Sequence, residues 1–134
     1  MTAIRNRKYM SQLVDFEGAV IEGDKSFTDI DAVMEYDDKA YVICEVKYKD
    51  GRPTKGQMLA LTRMARDLGS VKPVLLILAE HNTRAPGAIK LADCRVRWYM
   101  LYMPGKPPTR KMWQKVGKQG NVIRMVELWL RGLT

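Results

Sequence analysis

Histidine occurs once and cysteine twice in this chain, and that scarcity removes several chemistries at the outset. Cys44 and Cys94 lie far apart without metal-ligand spacing, so neither a disulfide framework nor a zinc site is indicated, and Cys44 reads as a small core residue. His81, in Ala79-Glu80-His81-Asn82, reads as a loop residue after a strand. With no Cys or Ser partner it argues against a nucleophilic triad. No apolar run approaches the roughly 18 residues of a membrane-spanning helix. No basic amphipathic helix stands out, and no apolar stretch follows the N-terminal charges as it would in an export signal. These absences lead to the expectation of a reducing, cytoplasmic setting with no membrane partner. Repeats, low-complexity tracts and linkers are missing too. Acidic residues are in deficit: 15 Asp and Glu face 23 Lys and Arg, leaving a net charge of +8. Such an imbalance favours a polyanionic partner, and nucleic acid is the better choice.

What is present reads as one domain. At 134 residues with 46% hydrophobic content, the chain is long enough for a genuine core. Met10, Leu13, Val14 and Ile21 recur at helical spacing from Tyr9 to Ile21, with Glu17 on the same stripe. Thr54-Lys55-Gly56-Gln57 fits a capping box that opens a helix. Met58, Leu61, Ala65 and Leu68 line one face of that helix, and Gly69 supplies its stop. Val71 to Ala79 is continuously apolar over Val74-Leu75-Leu76-Ile77-Leu78, as in a strand in the middle of a sheet. Arg95 to Met103 is strand-like. Asn121 to Leu133 gives a C-terminal amphipathic helix with Val122, Met125, Val126, Leu128, Trp129 and Leu133 on its apolar face.

The most informative stretch runs from Ser26 to Lys49. Phe27 to Tyr36 and Ala40 to Tyr48 are rich in β-branched and aromatic residues, with Asp37-Asp38-Lys39 between them, and together they read as a β-hairpin. Alternation places Glu45 and Lys47 on one face with Tyr41 and Ile43, and Val42, Cys44, Val46 and Tyr48 on the other. If the turn centres on Asp38, Asp31 falls opposite Glu45 and Asp29 opposite Lys47. Two carboxylates then come within reach of one divalent ion, with an ammonium beside them. Two like charges directly opposed on a sheet are destabilising, and a bound Mg²⁺ would offset that. On an exposed strand, Glu-x-Lys alone is an ordinary solvated ion pair.

The order of Thr28-Asp29-Ile30-Asp31, then Ile43-Cys44-Glu45-Val46-Lys47, then Gly56-Gln57 at a helix start resembles the PD-(D/E)XK nuclease superfamily, most of all its small VRR-NUC and Holliday-junction-resolvase type domains. The resemblance covers roughly residues 10 to 80. No Pro precedes the Asp, which leaves both Asp29 and Asp31 as candidate ligands, with Asp31 preferred. The resemblance implies an α/β, restriction-endonuclease-like core, a mixed central β-sheet flanked by helices; with the residue pattern beyond it, the single domain reads as a core at about 10–103, a basic loop at 104–120 and the C-terminal helix at 121–133. It implies a Mg²⁺- or Mn²⁺-dependent deoxyribonuclease in which Asp31, Glu45 and the Val46 carbonyl hold metal. Lys47 would orient or help deprotonate the attacking water. Glu17 would add a third acid from the N-terminal helix, and Gln57 would face the substrate phosphate. For Glu17 the plain alternative is a packed stem with a solvated head; for Gln57 it is the cap.

DNA contacts are expected from Lys49, Arg52 and Lys55 beside the site. More are expected from Lys106, Arg110, Lys111 and Trp113 in the basic loop, where an aromatic among cations could stack on an unpaired base. A scaffold or silent nucleic-acid-binding module is the alternative. Junction cleavage would need two sites and hence a homodimer or higher homo-oligomer. A bacterial or phage source fits the compactness and basicity.

Overall fold

A computed structural model describes residues 17–18, 20–21, 25–84, 87–106, 114–116 and 120–133. Its centre is a five-stranded mixed sheet with one helix on each face. The N-terminal helix expected from Tyr9 to Ile21 does not extend to its predicted end. Glu17 and Gly18 form a turn, with Gly18 at φ 80°, and β1 (Val20–Ile21) pairs antiparallel with β2 (Lys25–Ser26). At Glu17–Gly18 a glycine in a left-handed turn takes the place of the expected helical turn. Residues 9–16 lie outside the described part.

The hairpin comes next. β3 (Ala32–Tyr36) pairs antiparallel with β4 (Ala40–Tyr48) in the expected register, from Ala32 opposite Cys44 to Tyr36 opposite Ala40. Asp37 and Asp38 hold positive φ of 45° and 60°, and the Lys39 N–H donates to the Tyr36 carbonyl at 2.7 Å. Tight hairpin turns favour this left-handed backbone because it matches the strand twist. Asp38 also ion-pairs with Lys72.

From β4 the chain crosses through α1 (Lys55–Gly69) to β5 (Val74–His81), which pairs parallel to β4. β5 is the middle strand and is buried from Val74 to Ala79, as its unbroken apolar run predicted. His81, expected in a loop, is the last residue of β5 and stands edge-on to Tyr48, ring centroids 5.4 Å apart. A short 3-10 turn (Leu91–Asp93) leads into β6 (Arg95–Tyr102), antiparallel to β5. β7 (Gln114–Lys115) then pairs with Trp98 and Tyr99, so the 104–120 segment adds an edge strand to the sheet.

Two cores form because strand side chains alternate. Ile43, Val74, Leu76, Met100 and Tyr102 face α1, which buries Leu61 and Ala65 against them. Val42, Cys44, Leu75, Ile77 and Val96 face α2 (Val122–Arg131), which contributes Val122 and Val126. Each such aliphatic side chain contributes roughly 1.5–3 kcal/mol when fully buried. Asn121 caps α2 by accepting from the Arg124 N–H at 3.1 Å and donates to the Ala92 carbonyl at 2.9 Å, fixing the helix against the start of β6. Leu128, expected on the apolar face, is 52% exposed. Gly69 is no left-handed stop either: it is the buried last residue of α1, and the cap is Ser70 in right-handed conformation. A Cβ at Gly69 would collide with Tyr102. No described helix is long and apolar enough to cross a membrane.

Candidate active site

The site is built at the end of β4 that meets the start of β3. Continuing the hairpin register by one residue sets Asp31 against Glu45. Asp31 has left the ladder, and its Oδ2 accepts the Val46 N–H at 2.7 Å where a strand carbonyl would otherwise stand. A strand residue exchanges its N–H and C=O with the same neighbour, so the Val46 carbonyl is directed to this same edge. Asp31 and not Asp29 therefore meets Val46.

Glu45 is the buried charged residue among those described, only 3% exposed. Its Oε1 lies 3.3 Å from Lys47 Nζ, while Oε2 is buried with no hydrogen-bond partner. Burial first, and then the charge of Asp31, push the Glu45 carboxyl above the ordinary carboxylate range; Lys47 pulls it down and Asp29 adds to the rise. An orphaned oxygen beside a second carboxylate is a place where a cation lowers the energy. Among the described residues no three His, Cys, Asp or Glu side chains gather as a metal cluster. A divalent ion here would rest on two carboxylates, a main-chain carbonyl and water, a hard-oxygen set suited to Mg²⁺. Cys44 is not part of it: burial, then Cys94 and Asp31, push its thiol up to about 12.

Gln57 sits in the capping box. Its Oε1 accepts the Thr54 N–H at 3.0 Å and its N–H donates to Thr54 Oγ1 at 3.1 Å. Glu17 is exposed in its turn. Lys49 and Arg52 lie exposed between β4 and α1, and Lys55 is the exposed first residue of α1, at the site's end of the sheet. Lys106 is placed at the opposite end, bridged to Met103 beyond the last residue of β6. Arg110, Lys111 and Trp113 lie outside the described residues.

Next to Glu45 the sheet presents groups that the sequence did not single out. In register, Glu45 neighbours Leu78 and Leu78 neighbours Trp98; Lys47 neighbours Glu80 and Glu80 neighbours Arg95. A bulge leaves Arg97 without a partner on β5, so Arg97 and Trp98 both line a cleft of about 400 Å³ with Arg52, Pro53, Met58 and Leu78. Bulges re-aim side chains in this way. Arg97 is held by the Gly51 carbonyl at 2.9 Å and by Glu80 at 3.6 Å, and Arg95 meets Glu80 at 2.6 Å. Arg95 foremost, with the Asp50 backbone and Arg97 in support, holds the Glu80 carboxyl below its usual range against the opposing effect of burial. The available sequence signal was Arg95-Val96-Arg97-Trp98, cations and an indole inside a strand. The chain matches no protein-family model, no curated protein and no solved structure. Its chemistry is therefore read from this geometry.

Proposed function

We propose that the chain is a divalent-metal-dependent nuclease that hydrolyses phosphodiester bonds in DNA on a restriction-endonuclease-like core. The observation that supports this reading most is the orphaned Glu45 Oε2, buried and opposite Asp31. An unpaired buried carboxylate oxygen costs roughly 1–3 kcal/mol or more, and Mg²⁺ or Mn²⁺ held by Asp31, Glu45 and the Val46 carbonyl would offset that cost. When bound, the ion supplies Lewis acidity at the phosphate and lowers the energy of hydroxide near neutral pH.

The chain's own residues divide the remaining work. Lys47 Nζ, already oriented by Glu45, places the attacking water and balances charge as the water oxygen bonds to phosphorus and releases its proton to solvent. The P–O bond to the leaving sugar oxygen breaks, and that oxygen takes a proton from solvent. Asp31 and Glu45 hold their positions through the Val46 amide and the strand. Gln57, with Oε1 committed to the cap, has its amide nitrogen left to offer a phosphate oxygen. Lys49, Arg52 and Lys55 attract the backbone on either side.

The test is incubation of the purified chain with labelled single-stranded, duplex, flapped and four-way-junction DNA, in Mg²⁺, in Mn²⁺ and in chelator, beside Lys47→Ala and Glu45→Gln. Cleavage that requires metal and disappears in both variants is the expected result. Metal-independent binding without cleavage of any substrate would replace this reading with a silent nucleic-acid-binding module, which the net charge of +8 would equally serve.

A further inference from the structure

The cleft beside Glu45 has a composition of its own. One wall is the half-buried indole of Trp98; Leu78, Met58 and Pro53 complete an apolar interior, and Arg97 and Arg52 frame it. Its volume, about 400 Å³, falls within the roughly 300–1,000 Å³ of small-ligand sites. Arg97 is preset by Gly51 and Glu80, so its guanidinium is ordered before any ligand arrives. Beyond Trp98 a second basin of about 330 Å³ shares Arg52, Arg97 and Trp98 and adds Arg95 and Lys115 together with the carboxylates of Asp50 and Glu80. Lys115 Nζ lies 6.0 Å from the Trp98 ring centroid. An aromatic wall with apolar neighbours, opening onto a basin where Arg52, Arg95, Arg97 and Lys115 outnumber Asp50 and Glu80, suits a planar ring joined to anionic groups.

Trp98 stands two strands from Glu45 in one cross-sheet row, through Leu78. At roughly 4.8 Å per strand the two backbones are about 10 Å apart. That is about three stacked nucleotide rises at 3.4 Å each, and fewer along an extended strand.

We propose that the Arg52–Arg97–Trp98 cleft binds an unpaired nucleobase and its neighbouring phosphate, within three nucleotides of the phosphodiester at Glu45. Single-stranded or frayed-end DNA is then the substrate. In an intact duplex both faces of a base are already stacked, and the indole has nothing to take. This assignment rests on the nuclease reading for the position of the cut, but the cleft's preference for an unpaired strand is measurable without cleavage.

The experiment is fluorescence anisotropy of a labelled ten-nucleotide oligothymidylate and a blunt ten-base-pair duplex, in chelator at fixed salt. The full chain is compared with Trp98→Leu and Arg52→Gln. The single strand is expected to bind at least ten-fold more tightly than the duplex. Trp98→Leu should lower single-strand affinity five- to a hundred-fold, the range of one lost base stack, with less than a two-fold change on duplex. Arg52→Gln, an exposed change that leaves the core intact, should reduce the dependence of log K on log salt by about one. Equal affinity for both DNAs, or an Arg52→Gln salt slope unchanged on single strand, overturns the proposal, and that result stands even if Trp98→Leu fails to fold. Because these arms contain no metal, a missing nuclease activity leaves them intact. Metal-dependent cutting of duplex and single strand alike would sink this inference and keep the nuclease.

Discussion

The Asp31 carboxylate accepts the Val46 amide proton at 2.7 Å, one residue along β4 from the buried Glu45. A side chain thus completes a ladder that the backbone of β3 abandons at Ala32. The arrangement ties one carboxylate in place beside another that lacks a partner for Oε2, and the molecule bears the repulsion. Stability is set against chemistry at this point.

Glu45→Gln should stabilise the metal-free protein by about 1 kcal/mol at neutral pH, because the amide carries neither the desolvation cost of the charge nor its repulsion from Asp31. Thermal unfolding should show this as a rise of roughly 3–6 °C in Tm. The sign with pH is definite. The Glu45 carboxyl is raised above the ordinary glutamate value of about 4.5, chiefly by burial, so the folded state retains a proton that the unfolded chain has lost. Its relative stability is greatest below pH 4.5 and falls as pH rises through the folded value. The gap between variant and parent should therefore close near pH 4 and widen towards pH 7.5. Mg²⁺ should raise the Tm of the parent and leave that of Glu45→Gln unmoved.

Lys47→Ala removes the ammonium 3.3 Å from Glu45 Oε1 and leaves the buried charge without its ion-pair partner. A loss of about 1–2 kcal/mol is expected, below the full cost for a buried pair because Lys47 retains some solvent contact. In the double variant Glu45→Gln, Lys47→Ala most of that loss should return. Urea unfolding of the four proteins gives the coupling directly; simple additivity would show that the pair does not interact.

Glu80→Gln should act with the opposite pH sign. The Glu80 carboxyl is held low, first by its hydrogen bond from Arg95. Its contribution is present above the unfolded value of about 4.5 and lost as pH falls through the folded one. The variant should unfold about 1 kcal/mol more easily at pH 7, a gap that shrinks below pH 4. Since Glu80 also steadies Arg97, single-strand affinity should drop in the same variant, measurable by anisotropy.

Gly69→Ala tests the packing of α1 on the sheet. An added methyl would collide with Tyr102 at the buried end of the helix, and overpacking of this kind costs typically 1–3 kcal/mol. Helix propensity alone would reward the change by nearly 1 kcal/mol. A net loss of stability on denaturation therefore reports the helix–sheet contact, and a gain would mean that the contact yields.

Features set by short-range spacing were legible in the chain itself. The hairpin register followed from the residues between the two strands, the capping box from Thr54 and Gln57, and the central position of β5 from its unbroken apolar run. With that register came the juxtaposition of Asp31 and Glu45, because alternation across a strand leaves no freedom once the turn is placed. Tertiary structure decided what lies beside them. Parallel pairing brings Leu78 and Glu80 next to Glu45 and Lys47 although a whole helix separates them in sequence. A one-residue bulge turns Arg97 to the same cleft as Trp98, and no local pattern encodes where an extra residue will be absorbed. Gly69 is closely approached by Tyr102 on a distant strand, and at Val20–Ile21 a short ladder stands where helical spacing had been read. Local propensities are worth tenths of a kcal/mol per residue, while the packing of one buried side chain is worth several times that, so where the two conflict the distant contacts prevail.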